Sequence, residues 1–231
     1  MEDTQVQSGT DAAQEAEGEQ TTAAPATPTR HSATAHQRAG GASYGYALLL
    51  VIAGALGAIA SIALTLDYLN LLADPDYVPV CDINPIVGCG MFLGSAPASA
   101  FGFPNVIIGM VAFPIVVTIG VVLAANLRLP RWFWRGMVAG MAFGIGFVTW
   151  LQWQSFTVIG GLCPYCLVVW AVMIPLFVHT VARAVQNGAL PGGAELSQFL
   201  IRYRWALTVL WYLLVVAGAM FALGDRLLLM F

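Results

Sequence analysis

From about position 44 onward the chain is a series of five apolar runs joined by short polar links, whereas large apolar residues are almost absent before that point. The runs extend from about Tyr46 to Leu66, Phe103 to Leu123, Met137 to Phe156, Pro164 to Val181 and Trp205 to Leu223. Each approaches the roughly 20 residues that a helix needs to cross a hydrocarbon core of about 30 Å. Lipid offers the backbone no hydrogen-bond partners, so runs of this kind are helical. The pattern predicts an all-α polytopic membrane domain over residues 44–231, with a loop at 73–102 between the first two spans. The first 43 residues, rich in Ala, Thr, Gln, Glu and Gly, bury too little apolar surface to offset their ordering entropy. A disordered tail is expected there. It lacks the basic stretch followed directly by an apolar one that marks a secretory signal peptide.

Composition agrees with a lipid environment. Hydrophobic residues make up 59% of the chain and charged residues only 9%, against roughly 25% charged in a soluble globular domain. Half of the acids lie in the tail, so the net charge of −3 carries little meaning. Without a basic patch interleaved with aromatics, nucleic acid is not an expected partner. All nine basic residues are arginine, and their placement is informative. Arg128, Arg131 and Arg135 lie between spans two and three, and Arg183, Arg202 and Arg204 between four and five. The loop after span one and the short link around Gly160 and Gly161 have none. The positive-inside rule then places the N-terminus in the cytoplasm and both Arg-free links outside, with Arg226 fitting poorly. Two stripes of small residues, Gly136, Gly140 and Gly144 on span three and Gly54, Gly57 and Ser61 on span one, have the spacing that lets membrane helices pack closely.

The candidate chemistry lies in the four cysteines, all in the Arg-free links. Cys81 and Cys89 flank seven residues of the first, and Cys163-Pro164-Tyr165-Cys166 opens span four. Pro164 suits the first position of a helix, which puts Cys163 at its N-cap and Cys166 one turn on. A helix N-terminus and a CxxC spacing both favour a thiolate, and Cys166 enters the apolar zone where a lipid-soluble electron acceptor could meet it. Redox chemistry follows. A structural zinc site, two inert disulfide braces and a thiol carrier working without a quinone are the alternatives, and a membrane scaffold or assembly subunit with braced loops is the reading from another class.

At these residues the chain resembles the bacterial branch of the vitamin K epoxide reductase family. The marks are the loop pair with seven intervening residues, Phe101-Gly102-Phe103-Pro104-Asn105 opening span two, and a CxxC at the outer end of span four, over about Tyr46 to Val181. The other large family of quinone-linked disulfide generators carries its CxxC in the first outer loop, whereas here it comes second. The resemblance implies a four-helix bundle around a quinone (menaquinone or similar), a fifth helix, and a bacterial inner-membrane location with the cysteines on the outer face. It implies that Cys166 meets the quinone with Cys163 as its partner, that Cys89 exchanges with Cys163, and that Cys81 faces an exported thioredoxin-like thiol oxidase. Asn105 matches an amide that hydrogen-bonds a quinone oxygen; by itself it reads equally as an interfacial polar residue. Trp170 stands where the animal enzymes have a tyrosine. Its indole donates a hydrogen bond but is no phenolic acid, so epoxide reduction is not expected, though at i+4 from Cys166 it can wall the pocket. Some relatives carry a fused thioredoxin-like domain after span five; this chain ends at Phe231, so a separate protein partner is expected. His179 reads as packing, and Trp150, Gln152, Trp153 and Gln154 as an aromatic belt.

Overall fold

The computed structural model describes residues 33–228. Its α-helices are α1 (Ala35–Arg38), α2 (Tyr44–Ala73), α3 (Gly90–Leu93), α4 (Val106–Ala124), α5 (Arg131–Gln154), α6 (Pro164–Gln186) and α7 (Ala194–Leu228). Of these, α2, α4, α5, α6 and α7 are long and apolar enough to cross a membrane. The fold is that of an all-α polytopic membrane protein, as the apolar runs predict. Helix ends are set by local chemistry. Ser43 caps α2 by accepting the Tyr46 N–H, Pro130 precedes α5, and Pro164 occupies the first turn of α6.

The spans are arranged around an open ring. Helix α2 packs on α4 and on α6, and α6 packs on α5 and α7, while α4 and α5 barely touch. The α2–α4 contact uses the first small-residue stripe as expected: a side chain at Gly57 would collide with the Phe113 ring, and one at Gly54 with Val117. The α6–α7 contact exploits a proline. Pro175 inside α6 has no N–H for the carbonyl of Ala171, and the Tyr212 hydroxyl of α7 donates to that carbonyl instead. Apolar side chains such as Ile52, Ile59 and Leu66 point outward, as a lipid-facing surface requires.

Of the expected disordered tail, residues 1–32 lie outside the described residues. Residues 33–43 depart from the expectation: Thr34 caps α1, and the segment is pinned to the bundle. The Trp134 indole and the Leu129 N–H both donate to the Gly40 carbonyl, at 3.1 Å each. The buried Arg183 guanidinium donates to the carbonyls of Gln37 and Gly41 while lying 5.6 Å from the Trp134 ring. Backbone carbonyls, invisible to composition, hold this segment in place. His179 is buried against Trp205, 4.6 Å between ring centres, in the packing role expected of it.

Candidate active site

Two chain segments far apart in sequence meet at one end of the ring. After α5 the chain makes a π-helical turn, Ser155–Ile159, and Gly160 reverses it at φ 70°, a left-handed conformation that glycine adopts without strain. The buried Ser155 hydroxyl donates to the Gly161 carbonyl at 2.6 Å and holds the short link against α5. The first loop is folded by its own polar residues. Asp82 accepts the N–H groups of Cys89 and Gly90, and Asn84 those of Ile86 and Val87. The loop then docks on the link through a single parallel bridge between Val87 and Leu162. Leu162 N–H donates to Ile86 at 2.7 Å and Gly88 N–H to Leu162 at 3.0 Å. A Cβ at Gly161 would lie 2.9 Å from the Ile86 carbonyl, so a side chain there would lift the loop off its seat.

This bridge brings the two cysteine pairs together. Cys81 and Cys89 are joined in a disulfide, with Cα atoms 5.7 Å apart, and Cys163 and Cys166 are free thiols. Cys163 is the N-cap of α6; its sulfur accepts the Cys166 N–H at 3.4 Å and lies 3.4 Å from the sulfur of Cys89. The hydrogen bond from the Cys166 thiol, helped by backbone N–H groups of Cys166 and Tyr165, holds the Cys163 thiol below its ordinary range in spite of its burial. Cys163 is therefore the more acidic thiol of the pair, and its sulfur faces that of Cys89 in the loop disulfide. Exchange needs little more than closure of that gap.

On its other side Cys166 opens into a cavity of about 550 Å³ between α4, α5 and α6. Such a volume lies within the ordinary size of small-molecule pockets, roughly 300–1,000 Å³. Asn105 and Trp170 line the same cavity. Asn105 is the residue before α4; one amide N–H donates to the Pro97 carbonyl at 2.6 Å, and its buried Oδ1 has no hydrogen-bond partner among the described residues. Trp170 is buried, with Phe156 packed edge-on at 5.7 Å. A largely apolar chamber with one amide able to donate its second N–H and a thiol at its wall fits a quinone ring, whose two oxygens only accept and need few polar contacts.

Comparison with protein families matches residues 48–181, more than half of the chain, to the model of the vitamin K epoxide reductase family. The chain belongs to the vitamin K epoxide reductase family. Comparison with individually curated proteins returns no match. Membership makes the protein a membrane oxidoreductase of the cysteine-based type.

Within this family member the structure corrects several readings. Cys81, expected to face a protein partner, is buried, and Cys89 fully so, because the Val87–Leu162 bridge seats the loop on the link. The Gly136–Gly140–Gly144 stripe is not a helix-packing surface throughout. Large side chains of α5, among them Trp134, Met141, Ile145 and Val148, take up the buried face, so Gly136 and Gly140 look into open space along the cavity. Gln154 lines the cavity and Gln152 is buried, while Trp153 alone of that group is strongly exposed. One residue of interest escaped notice altogether. Asp67 is a buried carboxylate toward the C-terminal end of α2, 3.5 Å from the sulfur of Cys81. The available signal was its charge: carboxylates within lipid-spanning helices are rare and are retained for a reason.

Proposed function

We propose that this protein is a quinone-dependent thiol oxidase that re-oxidises an exported thioredoxin-like protein through its two cysteine pairs and so supports disulfide formation. The observation that carries the reading is the 3.4 Å approach of Cys163 to Cys89 with Cys166 lining the apolar cavity. Two inert braces would have no need of that contact. In the forward direction Cys89 of the reduced loop attacks Cys163 of the Cys163–Cys166 disulfide and releases Cys166. Cys81 then attacks Cys89, closing the loop disulfide and freeing Cys163. Two electrons have moved from the loop to the CxxC, and the oxidised loop beside a reduced CxxC is the state that follows this exchange. A bound quinone supplies the two-electron acceptor. Cys166 presents its thiol to the cavity and Cys163 stands ready to close the pair again. Asn105 offers its second amide N–H as a donor to a quinone oxygen, its Oδ1 can accept only from a hydroxyl of the reduced ring, and Trp170 closes the wall.

Anaerobic mixing of fully reduced protein with menaquinone or ubiquinone tests this directly. Thiol loss is expected in a ratio of two thiols per quinone reduced; no thiol loss with either would leave a braced scaffold as the better account. Asn105→Ala in the same assay should weaken quinone use several-fold, since one hydrogen bond is worth about 0.5–1.5 kcal/mol. Unchanged saturation and turnover would reduce Asn105 to a residue that merely fixes the start of α4.

The reading also requires a bacterial inner-membrane location with the cysteine-bearing links outside, which the arginine distribution supports. Membrane-impermeant maleimide applied to intact cells after reduction is expected to label Cys81 or Cys89. Labelling that appears only once the inner membrane is opened would reverse the orientation.

A further inference from the structure

The Asp67 carboxylate is held by two contacts. Its Oδ1 accepts the Tyr77 hydroxyl at 2.9 Å, and its Oδ2 lies 3.5 Å from the sulfur of Cys81. Asp67 sits on α2 while Tyr77 and Cys81 come from the loop, so the loop closes over the carboxylate. No ion pair involves Asp67 among the described residues. A buried carboxylate without a cation, toward the C-terminal end of a lipid-spanning helix, marks a functional site by default. The sulfur it touches belongs to the cysteine for which the relay provides no other proton acceptor.

We propose that Asp67 is a catalytic acid–base for Cys81, oriented by Tyr77. The proposal rests on the relay above for its role in turnover. When Cys81 closes the loop pair, its thiol proton passes to Asp67 Oδ2 as the Cys81–Cys89 bond forms and the Cys89–Cys163 bond breaks; Cys163 leaves with the electron pair as a thiolate. When a donor's second thiol later expels Cys81 from the donor–Cys81 disulfide, the proton returns from Asp67 to the departing Cys81 sulfur. One negative charge and one proton are conserved in each step. The groups facing the carboxylate are the Tyr77 phenol and Cys81, with Cys89 beside it. Asp82, the neighbouring carboxylate of the loop, is occupied by the N–H groups of Cys89 and Gly90.

The test isolates Cys81 from the relay. In full-length protein with Cys89, Cys163 and Cys166 replaced by serine, the reaction of Cys81 with 4,4′-dithiodipyridine is followed by absorbance as a function of pH. Asp67→Asn should slow the reaction at least about tenfold near neutral pH. The deficit should close as pH rises past the ordinary thiol range, about 8.5, where Cys81 ionises unaided. Asp67→Glu should restore most of the rate. An Asn variant with the parental rate and pH profile overturns the proposal, as does a Glu variant as slow as Asn at every pH, which would make Asp67 a structural prop. If Asp67→Asn fails to fold, Tyr77→Phe decides: a smaller loss with the same pH dependence supports the proposal, and an unchanged profile overturns it. Failure of the relay itself would show as absence of any Cys89–Cys163 link in a Cys166→Ala protein and would leave this thiol measurement standing.

Discussion

Cys166→Ala is expected to abolish quinone reduction and to leave Cys89 and Cys163 covalently joined. Cys163 can still attack Cys89 of the loop disulfide, 3.4 Å away, and release Cys81, but the thiol that closes the CxxC pair and faces the cavity would be missing. Proteolysis without reduction should then yield a cross-linked pair of peptides, one from the loop and one from the start of α6. Cys89→Ala should behave differently. With Cys81 left without a loop partner, neither the loop disulfide nor a Cys89–Cys163 link can form, and oxidation of the thioredoxin-like donor should stop while Cys163 and Cys166 can still react with quinone. A Cys166→Ala protein that reduces quinone at the parental rate would end the proposed relay.

The second large effect is expected far from any sulfur. Gly140 lines the cavity, and a Cβ built on it meets nothing within 4 Å. Leucine is a better helix former than glycine, so Gly140→Leu should fold and insert normally. Its side chain would occupy space that a quinone needs. Overfilling a packed site costs roughly 1–3 kcal/mol, and each 1.4 kcal/mol or so is a tenfold loss of affinity. Quinone saturation should therefore move at least about fivefold upward, while thiol exchange between the loop and CxxC pairs stays at the parental rate. Unchanged quinone kinetics would mean that this face of α5 meets only lipid.

The five spans were legible because lipid tolerates so little polarity that apolar runs stand out from any window. Their ends were less legible. The first run appears to stop at Leu66 only because Asp67 follows, yet α2 continues to Ala73, the carboxylate being accommodated by Tyr77 and Cys81. In the same way α5 begins at Arg131, six residues before the apolar run, with Arg135 accommodated by donating to the Ala189 carbonyl. The Cys163 N-cap could be read from Pro164 and the CxxC spacing, since capping is local. The contact between Cys89 and Cys163 could not, because it depends on a backbone bridge between residues 75 positions apart in sequence, Val87 and Leu162; only the family resemblance pointed to it. The two glycine stripes make the same point. Each sets small residues three or four positions apart on one helix face, but Gly57 meets Phe113 while Gly140 meets open space, and spacing alone does not reveal what stands opposite.

The full burial of Cys89 and Cys163 at their point of contact has a further consequence for the proposed relay. With the loop seated on Leu162, the junction between the two pairs is insulated from water. In that relay polar reductants would have no path to the junction, and the two electrons in transit would have a single exit, through Cys166. Insulation would then set the pace, since a donor would reach the buried Cys81 only when the loop opens.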